Sequence, residues 1–208
     1  MEAWIDISRP LSPATPVWPG DRPLQLHRRV DASGVLSWME TTCHVGTHLD
    51  APLHLDPTLE RGVEGIALDV LCGSAQVVRV DGGGGPIRPA HLRPGWRPSC
   101  TRVLLRTDSH PLGDPVEAGF SGLTAGLVHW LAACGVLLVG VDTPSVDAFE
   151  SEDLEAHHAL VQRGMAWLEG LWLGGVENGI YELVAAPMAL VGAEAAPVRA
   201  LLRPLEEA

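Results

Sequence analysis

The chain of 208 residues contains no lysine; all 14 of its basic side chains are arginine. Schiff-base chemistry and a lysine nucleophile are therefore excluded. It has no Cys-x-x-Cys pair: Cys43, Cys72, Cys100 and Cys134 stand far apart in sequence. The expectation is free, mostly buried thiols in a reducing cytoplasm. There is no Gly-x-Ser-x-Gly elbow, which argues against a serine-nucleophile hydrolase. No apolar run approaches the ~18 residues that span a bilayer. Glu2 and Asp6 interrupt any early apolar stretch, so no secretory signal is expected. Positive charge is scarce, with a formal net charge of −12, which disfavours nucleic acid or an anionic membrane as partner. What remains is 46% hydrophobic and 19% charged, the composition of a soluble globular protein, with a length that fits one domain over 1–208.

One stretch is dense in chemistry: Cys43-His44-Val45-Gly46-Thr47-His48-Leu49-Asp50-Ala51-Pro52-Leu53-His54. Imidazole nitrogen and carboxylate oxygen are the usual donors for a divalent ion such as Zn²⁺. His44 and His48 are four apart, which suits one helical turn, whereas His48 and Asp50 are two apart, which suits an extended chain. Gly46 and Pro52 break regularity, so the spacing predicts a bent segment that wraps its donors around a point. Packing alone is a poor account of so many polar groups, because buried polar groups need partners. Cys43 beside His44 reads as a small packed thiol.

Around this stretch, Ala3–Ile7, Leu24–Val30, Ser37–Thr42, Ala75–Val80, Arg102–Thr107, Val136–Val141 and Met165–Leu171 read as strands. The last carries Glu169 in an apolar setting, where a carboxylate needs a cation or donors. Leu123–Cys134 reads as a helix with Gly135 as its C-terminal cap. A second helix opens at Ser151, which is placed to cap it, and Gly164 ends it. Asn178–Met188 and Pro197–Leu202 give two more strands. Pro10–Pro23 is an ordered loop containing Trp18 between stiff neighbours, and Gly82–Gly85 reads as a turn. Asp142, Ser145 and Asp147 follow a buried strand, a common place for function, and equally suit a turn. Many short strands with two clear helices indicate an α/β protein, with a mixed sheet and helices outside.

The spacing His-x-Gly-Thr-His-x-Asp-x-Pro-x-His from His44 to His54 resembles the signature of the cyclase family, to which the bacterial kynurenine formamidases belong. The resemblance runs nearly end to end, from Trp4 to Arg203. It includes a His-His pair, His157-His158, followed by a glutamate twelve residues after the first histidine, Glu169. It implies the cyclase-like swivelling β/β/α fold and a homodimer or larger assembly. It also implies a second metal position at His157 and Glu169, with His157 the ligand of the adjacent pair and His158 the alternative. In this scheme His44, His48 and Asp50 hold one Zn²⁺, Asp50 bridges to a second, and Mn²⁺ or Co²⁺ suits the same donors. Two such ions turn a bound water into a nucleophile near neutral pH. His54 is then the proton shuttle, suited by its ordinary pKa near ~6.5. Trp18, in a Pro-Val-Trp-Pro-Gly context, lines the substrate pocket and stacks on an aromatic ring.

The residues alone leave the attacked carbonyl open among amide, ester and lactam. The resemblance implies the formamide of N-formyl-L-kynurenine, a small-molecule substrate, cleaved to L-kynurenine and formate. Isatin-ring opening by related enzymes is the alternative. A protein that keeps the metal only for stability is a further alternative, distinguished by a closed four-ligand site.

Overall fold

The computed structural model describes residues 3–80 and 85–205. The expected turn at Gly82–Gly85 lies, all but its last residue, outside the described residues. The described residues form eleven strands: β1 (Ile5–Asp6), β2 (Gln25–Asp31), β3 (Gly34–Glu40), β4 (His48–Asp50), β5 (Cys72–Arg79), β6 (Arg102–Arg106), β7 (Leu138–Val141), β8 (Ala166–Glu169), β9 (Gly179–Val184), β10 (Ala195–Pro197) and β11 (Leu201–Pro204). Three α-helices join them: α1 (Leu68–Leu71), α2 (Ala125–Ala133) and α3 (Glu155–Arg163).

Nine strands make one mixed sheet in the order β1-β11-β9-β5-β6-β7-β8-β4-β10. Strands β5 to β8 run parallel in sequence order, and the flanking pairs are antiparallel. Alternation along each strand feeds two cores. Val103, Leu105, Val139, Val141 and Trp167 pack under α2 and α3. Leu104, Leu138 and Leu168 face the other way, onto Ile7, Leu49, Leu183 and Leu202. The second core is enclosed because the sheet curls. Strands β10 and β11 lie near opposite ends of the strand order, yet the chain passes from Pro197 to Leu201 directly. At ~3.3–3.6 Å per residue that link spans at most about 14 Å. The bonds Val198 N–H to Thr47 O, 2.9 Å, and Ile7 N–H to Ala200 O, 3.0 Å, close the gap.

Thr124 caps α2, accepting from Leu127 N–H, and Gly135 follows the helix with φ +86°. Ser151 does not cap the next helix, contrary to expectation. Helix α3 begins four residues later, at Glu155, because Leu154 adopts a left-handed conformation, and the carboxylate of Asp147 accepts from Ala156 and His157 N–H instead. The expected C-terminal strand over 197–202 is two strands, since the chain changes partners from β4 to β9 there. The four cysteines are free and half-buried, not buried as expected, because they lie at element ends and in loops where the core is thin. Among the described residues no helix is long and apolar enough to cross a membrane.

Strands β2 and β3 form a separate hairpin. Every residue of β3 is exposed, and Leu26, Val30, Val35, Leu36, Trp38 and Met39 present apolar surface to solvent.

Candidate metal centre

Pleating places the central donors. In β4 Leu49 enters the enclosed core, so His48 and Asp50 share the other face. Strand β8 lies antiparallel beside it with His48 opposite Glu169 and Asp50 opposite Trp167. Directly opposed residues on one face have neighbouring side chains. His44 enters from the turn before β4, His54 from the short 3₁₀ turn after it, and His157 from the first turn of α3.

The donors converge. Asp50 Oδ1 lies 3.1 Å from His44 Nδ1 and 3.5 Å from His48 Nε2, while its Oδ2 faces His157 Nε2 at 3.8 Å. Its two oxygens thus address different histidines. Glu169 is also placed between two: Oε2 is 3.2 Å from His48 Nε2 and Oε1 is 3.3 Å from His157 Nε2. Donor atoms of His44, His48 and Asp50 all lie within 4.8 Å of one another, and so do those of Asp50, His54 and His157. The second group thus places His54 at ligand range, whereas the sequence scheme keeps it for proton transfer alone. Of the adjacent pair, His157 is buried in the cluster and His158 is exposed.

Hydrogen bonds outside the cluster orient the rings. Gly46 O accepts from His48 Nδ1 at 3.0 Å, leaving Nε2 for the centre. Asp147 Oδ2 does the same for His157 Nδ1 at 2.6 Å. Such outer partners fix ring tautomer and orientation in metal sites. Gly46 turns with φ +64°, and Gly170, at the end of β8, also with φ +64°, comes so close that a Cβ there would lie 2.2 Å from Gly46 O. Trp167 Nε1–H donates to Asp50 Oδ2, 3.3 Å, and Val146 N–H to Glu169 Oε1, 2.7 Å.

The electrostatics show a centre built for cations. Burial disfavours the charged form of every group, yet Asp50 and Glu169 outweigh it at His48, pushing its pKa up to about 9. His157 is likewise raised against its burial, by Asp147, Asp50 and Glu169. Burial works to raise Asp50, but His48, His157 and His44 hold it well below the carboxylate range. His48 Nε2 and Asp50 Oδ1, each buried, form no well-directed hydrogen bond despite the close nitrogen–oxygen approaches around them. Buried polar atoms without partners are rare in native proteins, and both orphans belong to one donor group with the composition and spacing of a divalent-cation site. The residues fit such an ion. His54 differs: it is exposed, but desolvation lowers its pKa against the pull of Asp50, helped by the His44 and His157 rings at 4.6 and 5.8 Å.

The cluster floors a cavity of about 780 Å³. Trp18 lines its wall, backed by Phe149 at 5.0 Å and Phe120 at 6.4 Å between ring centroids. The proline-rich passage therefore serves the cavity of its own chain. Arg9 is the structural contributor least visible in sequence, and Asp147 is visible there as a candidate whose role is open. Arg9, buried, gathers the carbonyls of Gly170, His110, Pro111 and Asp142. Asp142 itself accepts from Thr107 and Asp108 N–H, and Ser145 Oγ accepts from Asp147 N–H at 3.2 Å.

Two curated proteins are similar over nearly their whole length. A kynurenine formamidase of Salinibacter ruber is 44% identical over 97% of each chain, and one of Bordetella petrii is 40% identical over 99% of this chain and all of its own. Among solved structures, isatin hydrolase A from Ralstonia solanacearum superposes with a TM-score of 0.80 at 26% identity, covering 96% of this chain and 91% of its own. The family model described as Cyclase matches residues 5–148. With that match spanning most of its length and relatives above 40% identity spanning nearly all of it, the chain belongs to the cyclase family.

Proposed function

We propose that this chain, as one domain over 1–208, is a metal-dependent arylformamidase that hydrolyses N-formyl-L-kynurenine to L-kynurenine and formate. The observation that carries the substrate is the 44% identity with a kynurenine formamidase across 97% of both chains. The geometry supports the reaction class. The donor cluster opens onto a cavity large enough for a small aromatic substrate, unlike a closed structural site. His44, His48 and Asp50 would hold one divalent cation, and Asp50, His157 and Glu169 a second, with Asp50 between them. The nitrogen and oxygen donors suit Zn²⁺, and also Mn²⁺ or Co²⁺. Such ions, when bound, supply Lewis acidity for water and for a carbonyl oxygen.

The chain's own residues do the rest. Trp18 stacks on the aryl ring and holds the formamide over the cluster. His54, neutral at pH 7, accepts a proton from the attacking water and delivers it to the leaving aryl nitrogen. A C–O bond forms, the C–N bond breaks, and formate and the free arylamine leave. Asp147 and Gly46 O hold the His157 and His48 rings in register throughout.

The hairpin suggests the assembly. An isolated two-stranded sheet is marginal in water, and an exposed apolar patch of this kind marks an interface. These features support a homodimer covering that surface, in a reducing cytoplasm consistent with four free thiols. The function is tested by following kynurenine absorbance when metal-loaded protein meets N-formyl-L-kynurenine, with and without chelator, beside isatin. Chelator-sensitive formamide cleavage is expected; isatin opening without it would favour the hydrolase alternative, and no turnover of either after metal reconstitution would end the enzyme reading.

A further inference from the structure

Building on the formamidase reading, we propose that the cavity reads the ammonium group of the substrate's amino-acid side chain and leaves its carboxylate unread, so that an arylformamide with an amine and no carboxylate is an equally good substrate. The argument starts from a shortage. Among the described residues lining the cavity, Arg9 is the only arginine, and the chain has no lysine. Four N–H contacts commit Arg9: Nε to Gly170 O, Nη1 to Pro111 O, and Nη2 to both His110 O and Asp142 O, at 2.8–3.2 Å. A guanidinium has five N–H donors in all, and this one is 8% exposed. The fork that normally receives a carboxylate in two parallel bonds is already filled by backbone. The formyl end of the substrate is assigned to the donor cluster, so the amino-acid head must find its partners elsewhere on the wall.

That wall offers acceptors. His110 Nε2 lies 3.2 Å from Pro115 O, which only accepts, so the ring hydrogen sits on Nε2. Nδ1 is then a bare lone pair, buried and without a partner. Burial, aided by the charge of Arg9, lowers the pKa of His110 and keeps the ring neutral. Asp21, half-buried, and Glu152, exposed, also line the cavity, and neither carboxylate has a hydrogen bond or ion pair with a described residue. Glu194, the third acid outside the cluster, is 3.4 Å from His44 Nε2. The remaining polar side chains of the lining are neutral: the hydroxyls of Ser12, Thr15, Thr42, Ser145 and Ser151 and the indole N–H of Trp18. An ammonium group meets a lone pair and negative charge here, whereas a carboxylate meets like charge on this wall and at most the fifth, largely buried N–H of Arg9.

The test compares kcat/KM of metal-loaded protein for N-formyl-L-kynurenine, its decarboxylated analogue and its deaminated analogue. The decarboxylated compound should stay within about threefold of the parent, and the deaminated one should fall by about tenfold or more, chiefly through KM. The Asp21→Asn, Glu152→Gln double variant should raise KM for the two amine-bearing compounds and narrow the gap. A tenfold loss on removing the carboxylate, equal rates for both analogues, or undiminished selectivity in the double variant would each overturn the proposal while the formamidase reading stood. Failure to hydrolyse the parent itself would instead remove the reading beneath it.

Discussion

Replacing Asp147 probes the centre without touching a donor. Its carboxylate accepts three bonds: Ala156 N–H at 2.8 Å, His157 N–H at 3.0 Å and the His157 ring at 2.6 Å. Truncation to Ala removes the only side chain capping α3, worth roughly 0.5–2 kcal/mol. It also removes a charge-assisted bond worth roughly 1.5–3 kcal/mol. Asp147→Ala should therefore cost about 2–5 kcal/mol, a fall in Tm of roughly 4–20 °C for a domain of this size. Asp147→Asn keeps the shape and one acceptor for the helix, but presents an amide in place of the charge that raises the basicity of His157. It should lose less stability, about 1 kcal/mol, and roughly 10–100-fold in metal affinity. Thermal unfolding in chelator reads the first effect and competition titration against a chromophoric chelator reads the second. His158→Ala, next door and exposed, should change neither. If Asp147→Asn bound metal as tightly as the parent, the idea that this carboxylate positions His157 would be wrong.

Other outcomes follow from the same geometry. Gly170→Ala forces a Cβ into Gly46 O at a positive φ, so about 2–4 kcal/mol of stability and part of the bound metal should be lost together, measured by melting and elemental analysis. His54→Ala should retain its metal and lose most turnover, by about 10²–10⁴-fold; loss of metal instead would make it a ligand, as its nearness to Asp50 and His157 allows. In chelated protein, His48 is raised from 6.5 to about 9. Its contribution is complete below pH 6.5 and is lost as pH rises through 9. The unfolding free energy, read by denaturant titration, should drop across that window by at most about 3 kcal/mol, and should not do so with metal bound, since ligation removes the proton. Leu36→Glu in the hairpin should shift light scattering toward the monomer mass; an unchanged mass would disconnect that surface from assembly.

Local chemistry was the legible part of the sequence. The His44–His54 spacing announces a donor cluster because its four-residue and two-residue intervals need only a bend and a short strand. Glu169 stood out because a carboxylate in an apolar run demands a partner. The role of Asp147 was hidden, since it depends on α3 starting at Glu155, and that start depends on a left-handed Leu154 that no propensity rule foresees. Arg9 was hidden because its four acceptors are backbone carbonyls, which carry no residue signature. The hairpin misleads in the other direction: residues such as Leu26, Leu36 and Trp38 suggest a covered strand, and the single chain leaves them bare.

The short passage between β10 and β11 makes the nine strands a hoop, and β4, with two of the donors, sits at its seam. A hoop cannot spread at one place without breaking elsewhere, so breathing of this sheet is not available for admitting a ligand. Adjustment must come from the proline-stiffened passage that carries Trp18. Insertion of even one residue between Pro197 and Leu201 would slacken the ring beside His48, and would do more harm to the centre than a longer insertion in any exposed loop.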